Sequence, residues 1–389
     1  RLGVSSGFTT WLTSVVYQLI FMASVLVGAQ TFRRLRTFAL VIITVALGIS
    51  GVLIHQSQQE HQCIQLKVEE NGAIDSSVGE ADGRSCESTL DCEKTSVSQT
   101  AAYACEKAGL LGTFSTAGRI RWRGRLADPN EVCVFLGAAL ALAFGLHAGS
   151  RARGRHVALG VVLAVVATTA VLSQSRGGLL VLMTVCGVPF VRRYGLRGVV
   201  VAGVLVSPAL LLGGRSGAEA EESANERASL LYQGVDLVKS DPIFGVGVDA
   251  FRDHVYPALT AHNSYLLAAA ELGVFGLLVF ASLLYVTLKV PALVVLAPPE
   301  GLDPRLYGFA LGLLAALLGM AVGIFFLTMN YHPMPFIFFG LVGALHGIVR
   351  EQHPSFRVRY TPREMAYVTV ACAALVVILF VYTRIRGDG

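Results

Sequence analysis

Charge is what this sequence has least of. Asp, Glu, Lys and Arg make up 15% of its 389 residues, against about 25% in an ordinary soluble domain. Hydrophobic residues make up 54%, and the mean hydropathy is +0.61. The net charge of +5 is clumped, leaving stretches of about 17–24 residues with none, each long enough for a membrane-spanning helix. That excludes a soluble globular enzyme, a disordered chain and a coiled coil. Strict apolar–polar alternation is also missing, which argues against an outer-membrane barrel. There is no Walker A sequence, no GxGxxG opening a helix, no HExxH, no GxSxG, no CxxC pair and no repeat of 20–50 residues. The outer Asp and Glu residues are scattered, so no metal set is expected. No cleavable signal peptide is visible. The start at Arg1 suggests a fragment with upstream spans missing.

What remains is a polytopic, all-α membrane helix bundle. Ten spans are expected, at about 8–29, 38–54, 132–149, 157–175, 177–191, 198–214, 264–288, 306–329, 335–349 and 366–383. They divide the chain into spans over 1–54, a loop over 55–131, spans over 132–214, a loop over 215–263 and spans over 264–389. Short connections between Arg33 and Arg36, Arg151 and Arg155, Arg192 and Arg197, Lys289 and Arg305, and Arg350 and Arg363 concentrate basic residues on one side. The positive-inside rule places that side in the cytoplasm and both long loops outside. Arg384 and Arg386 then fall outside as well, against the rule.

The first loop holds Cys63, Cys86, Cys92 and Cys105. Four cysteines in one outer loop read as two disulfides, with three connectivities open; zinc is the weaker reading. Cys133, Cys186 and Cys372 fall in spans and read as packing. In the second loop, ANERASLLYQGVDLVKS (224–240) spaces Ala228, Leu231, Val235 and Val238 helically, predicting an amphipathic helix on the membrane surface.

Polar groups are costly at the membrane and call for a reason. Four places on the outer side stand out. In Ser173-Gln174-Ser175-Arg176-Gly177-Gly178, Ser175 can cap the next span. Arg176 then sits on a positive helix end beside two glycines, an arrangement suited to phosphate; the plainer reading is an Arg snorkelling to headgroups. In Ala261-His262-Asn263-Ser264-Tyr265, Asn263 or Ser264 can cap a span. A positive helix end would keep His262 neutral, as a general base requires, although a lone His there is more often an interfacial polar residue. Glu271 lies two turns further in, either to orient a neighbour or to pair with a base. Arg227 belongs to the loop helix and could be a solvated charge; DPIFGVGVDAF (241–251) could then pin that loop to the bundle. Finally, Arg119, Arg121 and Arg123 alternate, so an extended segment would line all three on one face. That face would meet a pyrophosphate or anionic headgroups, with Trp122 as interface anchor. Arg125, Asp128, Pro129 and Asn130 follow.

These motifs, in this order, resemble the O-antigen ligase and polymerase superfamily of bacterial inner-membrane glycan transferases. The matching pieces are GRLADPNE (124–131), SQSRGG (173–178), NER (225–227), DPIFGVGVDAF and AHNSYLLAAAELGVFGLLVF (261–280), spanning about 160 residues. The resemblance implies a bundle of about twelve spans, with the active site on the periplasmic side. It implies an undecaprenyl-pyrophosphate-linked glycan as donor and an inverting, metal-independent transfer without cofactor. Arg176 and Arg227 would engage the pyrophosphate, and His262 would act on the acceptor hydroxyl. Arg123, Arg125, Asn130, Ser175, Asn263 and Tyr265 are the candidate substrate-binding residues in the same motifs. The expected partners are the lipid-linked donor, lipid A–core or another glycan acceptor, and membrane lipids; no nucleic acid is expected. Ligation to lipid A–core leads over polymerisation of O-antigen or exopolysaccharide and over protein O-glycosylation. The rival from another class is a transporter or flippase of a lipid-linked sugar. Glu271, His147 and His346 lie within spans, and Pro189 and Pro208 interrupt two others.

Overall fold

The computed structural model describes residues 9–68, 74–94, 102–148, 153–212 and 218–387. The chain is mostly helical. Helices α1 (Thr9–Gly28) and α2 (Phe32–Ser57) precede a small sheet of β1 (His61–Val68), β2 (Ile74–Ser85) and β3 (Tyr103–Lys107), with helix α3 (Thr89–Lys94) between the last two. Then follow α4 (Pro129–Ala148), α5 (Arg153–Leu172), α6 (Arg176–Leu212), α7 (Ala218–Ser240), α8 (Ser264–Leu296), α9 (Pro304–Gly323), α10 (Pro333–Gln352) and α11 (Pro362–Gly387). Four of these helices begin on proline, whose missing N–H costs nothing at that position.

Nine helices among the described residues are long and apolar enough to cross a membrane. The chain is thus a multi-pass membrane protein, as its hydropathy predicts. The two expected spans 177–191 and 198–214 form one element, α6, broken at Gly195, where φ is +63°. Its second part is too short to count among the nine, yet the topology requires a crossing there. The starts of α4 and α8 border the same cavity (below), so an even number of crossings separates them. α4, α5 and the first part of α6 supply three; residues 196–212 supply the fourth.

At the centre α4 lies against α9. A Cβ on Gly145 would come within 2.8 Å of the Gly308 carbonyl, and one on Gly312 within 2.5 Å of the Ala141 carbonyl. Small residues thus let two backbones approach where no hydrophobic drive separates helix from lipid. Leu136, Leu140, Phe309 and Leu313 are fully buried around this contact.

The first loop is not plain coil. β1 pairs antiparallel with β2 and β3 in the order β2-β1-β3. Of the three possible connectivities the structure has Cys63–Cys92 and Cys86–Cys105. All four sulfurs are therefore consumed, and none is left as a thiolate for zinc. The loop is stitched to the bundle by side chains. Gln56 of α2 accepts from the Arg121 amide at 3.0 Å and donates to its carbonyl at 3.3 Å, and the Lys107 ammonium donates to the Ser57 carbonyl at 2.8 Å.

In the second loop α7 starts at residue 218, ahead of the expected 224, and it packs onto the bundle instead of resting on a membrane surface alone. Val235 meets Leu266 of α8 and Leu379 of α11, and Leu230 is fully buried.

Candidate functional site

Helix α8 is broken at Gly273, where φ is +68° and ψ −166°. A break in a membrane helix frees backbone groups that lipid cannot satisfy. Here the chain's own strap, residues 241–251, satisfies them. The Val246 and Gly247 amides donate to the Ala270 and Glu271 carbonyls, both at 2.9 Å, and the Val274 amide donates to the Pro242 carbonyl at 2.9 Å. The approach is close enough that a Cβ on Gly273 would lie 2.1 Å from the Ile243 carbonyl oxygen. This is the pinning that DPIFGVGVDAF suggests.

Glu271 completes the joint. It is 2% exposed. Its carboxylate accepts from the Asp249 and Phe251 amides, both at 3.1 Å, and from the Tyr331 hydroxyl at 2.7 Å. Burial and the nearby Glu271 push the Tyr331 phenol above its usual range, so it stays a donor. Glu271 therefore orients the strap; of the two sequence readings, orientation rather than pairing with a basic side chain describes it. The strap thus takes up the Ala270 and Glu271 carbonyls, which in transporters with broken helices are the kind of group that coordinates ions.

The AHNSY segment enters α8 beside this joint. Asn263 caps the helix, its side chain accepting from the Tyr265 amide at 3.0 Å and the Leu266 amide at 2.9 Å. Ser264 bridges to the connection between α9 and α10, donating to the Leu327 carbonyl and accepting from the Met329 amide, both at 2.8 Å. Tyr265 donates to the Ala321 carbonyl at 3.1 Å and packs on Phe325. It borders an apolar groove of about 310 Å³ between α7, α8 and α11. His262 alone in the segment takes the left-handed conformation, φ +47°, uncommon outside glycine. That turn sets its ring into a cavity of about 450 Å³.

The cavity draws on both loops. Asp128 and Glu131 come from the start of α4, Asp249 and Arg252 from the strap and the turn after it, and Thr328, Tyr331 and His332 from the α9–α10 connection. Burial first, then the charges of Arg227 and Arg252, hold the His262 imidazole below its usual pKa, while Asp128 pulls the other way. His262 is therefore neutral around pH 7 and able to accept a proton. α7 brings Arg227 into range, and Gln233 of the same helix clamps the Tyr256 backbone, donating at 2.7 Å and accepting at 2.8 Å.

Arg176 stands apart from the cavity lining. It is an exposed residue at the first position of α6. Ser175 caps that helix as expected, accepting from the Gly178 amide at 2.8 Å. Ser175 also bonds the Asn130 side chain, and Asn130 donates to Asp128 at 2.7 Å from both its amide and its side chain. One chain of side chains thus leads from the SQSRGG hinge to the cavity wall. On the hinge's other flank Gly177 approaches Phe326, next to the cavity residue Leu327.

The row of arginines is a correction to the sequence reading. Arg119 and Arg121 do share a face, but that face turns into the protein. Each is 7% exposed. Arg119 donates to the Ser173 carbonyl at 2.9 Å; Arg121 donates to the Phe114 carbonyl at 3.1 Å and lies over the Phe114 ring. Arg123 is exposed and donates to the Leu111 carbonyl at 2.6 Å. Trp122 packs against the core. The Arg125 side chain lies outside the described residues. Sequence reasoning missed Arg252, one position past the quoted motif and without any spacing signal of its own, and Thr328, Tyr331 and His332 of the α9–α10 connection.

Residues 132–281 match the family model described as O-antigen ligase. The match takes in the SQSRGG hinge, α7, the strap, His262 and Glu271, and stops short of the cavity residues 124–131 and 327–332. No curated protein matches the chain.

Proposed function

From the premise that the chain carries an O-antigen ligase family domain over residues 132–281, a class of glycosyltransferase-like membrane enzymes, we propose that it transfers a glycan from undecaprenyl pyrophosphate to an acceptor hydroxyl. The observation that carries this reading is His262 facing a cavity it shares with Arg252, its imidazole held below its usual pKa by burial and by Arg227. In the reaction, the imidazole takes the acceptor hydroxyl proton while the oxygen attacks the anomeric carbon from the face opposite the leaving group. The bond from that carbon to the phosphate oxygen breaks, and its electron pair leaves on the pyrophosphate. Arg227 and Arg252 offset the negative charge that grows there, the kind of preorganised stabilisation that lowers such barriers most. Arg176, at the positive end of α6, is assigned to the distal phosphate or its lipid approach. Asp128 and Glu131 supply acceptors for sugar hydroxyls. The site faces the periplasm of a bacterial inner membrane by the positive-inside rule, and lipid A–core is the acceptor we favour.

The test is transfer by purified protein from a polyprenyl-pyrophosphate glycan, in EDTA and without an ion gradient. Wild-type protein releases polyprenyl pyrophosphate and glycosylates the acceptor. His262→Ala lowers the rate by about 10²–10⁴-fold while the protein still inserts and stays monodisperse. Normal transfer by that variant, or transfer that needs a gradient, overturns the reading.

A further inference from the structure

The opposite end of the bundle holds a second cavity, of about 270 Å³, that the proposed transfer does not use. Helices α2, α5 and α9 begin there and α4 ends there. α4 starts at the His262 cavity, so its 20 residues put about 30 Å between the two. The wall is apolar, with Leu40, Ile43, Leu146 and Leu159 among its residues; its charged groups are Arg36, Arg155 and Arg305.

Three features make this cation cluster unusual. Arg155 and Arg305 lie in the first turns of α5 and α9, and Arg36 in the second turn of α2, where the helix dipole already places positive charge and a cation is unfavourable. Among the described residues none of the three guanidiniums has a carboxylate partner. Asp303, the nearest acid in sequence, accepts instead from the Arg305 backbone amide at 2.8 Å. His147, which also lines the cavity, has a buried Nδ1 with no partner. Repulsion among three guanidiniums and three helix N-termini is relieved by an anion. The apolar wall above them selects an anion that carries a hydrocarbon chain.

We propose that this cavity binds one anionic phospholipid of the leaflet at the Arg-rich end. Its phosphodiester sits among Arg36, Arg155 and Arg305, and the upper part of one acyl chain lies along Leu40, Ile43 and Leu159. Basic pockets between helices near the membrane surface recognise such headgroups by charge.

The experiment is native mass spectrometry of the full chain released from nanodiscs of equimolar phosphatidylglycerol and phosphatidylethanolamine. Wild-type protein retains one phosphatidylglycerol in preference to phosphatidylethanolamine by about tenfold or more. The triple variant Arg36→Gln, Arg155→Gln, Arg305→Gln loses that preference. Arg155→Gln alone weakens it, so the proposal stays testable if the triple variant fails to fold. Arg33→Gln, a charge on α2 outside the cavity, leaves it unchanged. Equal retention of the two lipids by wild-type protein overturns the proposal, as does undiminished preference in Arg155→Gln. Displacement of the lipid by millimolar inorganic phosphate also overturns it, since a free phosphate site would then be the better description.

Discussion

The two long loops reach the same cavity by opposite means. The first is a self-contained unit, a three-stranded sheet closed by two disulfides and tied to α2 and the hinge by side chains such as Gln56, Lys107 and Arg119. The second has no covalent closure. It is held by main-chain hydrogen bonds to the break in α8, with Glu271 as the joint. Of charged groups, the first loop brings only carboxylates to the cavity; the second brings the imidazole and the cations, with Asp249 beside them. Rigidity from cross-links tolerates local change, whereas rigidity from a filled helix break depends on a few atoms of backbone.

That contrast can be broken most severely at Gly273. Gly273→Ala forces a Cβ toward the Ile243 carbonyl, which the strap can relieve only by moving His262's neighbours. Misplacement by about 1 Å costs on the order of 100-fold in rate, so transfer should collapse and limited proteolysis should open 241–262, while the first loop's disulfides stay intact by mass.

Charge substitutions sharpen the comparison, because the loops pull on His262 in opposite senses. Arg227→Gln removes a charge that depresses the imidazole. The His262 pKa rises, and the acidic limb of kcat/KM moves to higher pH. Asp128→Asn removes the opposing charge, lowers the pKa and moves that limb to lower pH. Shifts in the same direction would show that the two residues do not act on one titrating group.

Glu271→Gln replaces one acceptor oxygen with an amide donor that faces backbone N–H groups. Leaving such a group unsatisfied costs about 1–3 kcal/mol. Hydrogen exchange should quicken at 249–251, and the unfolding temperature should fall. The smallest expected effect on transfer comes from the first loop. Cys86→Ser with Cys105→Ser should cost about 3 kcal/mol in the stability of that loop, seen as faster exchange along β1 and β3, with transfer little changed.

Much of this was legible in the sequence because the bilayer makes its demands in composition. Uncharged runs and clustered arginines locate the spans. Capping chemistry at Ser175 and Asn263 is local, so three or four residues suffice to foresee it. The two short apolar runs around Gly195 read as two spans, and the shared cavity calls for the same two crossings; what the sequence did not show is that one helix carries both, broken at Gly195. Arg119 and Arg121 misled because alternation fixes which side chains share a face but not which way that face turns; their carbonyl partners, Ser173 and Phe114, are set by tertiary packing. The sheet in the first loop escaped notice because its strands are polar and short-range alternation is weak, so only their pairing in the folded loop reveals them. Arg252 has meaning only once the strap is folded against α8.

The strap meets the break in α8 through peptide groups and packs Phe251 beneath it, while Ile243 and Phe244 are 52% and 77% exposed and Phe244 rests on the Phe275 ring of α8. A segment anchored mainly by peptide groups and a buried Phe251 depends little on Ile243, and on Phe244 only for one ring contact at the surface. Substitution there can therefore retune how the reaction chamber's rim meets its surroundings while leaving the imidazole where it stands.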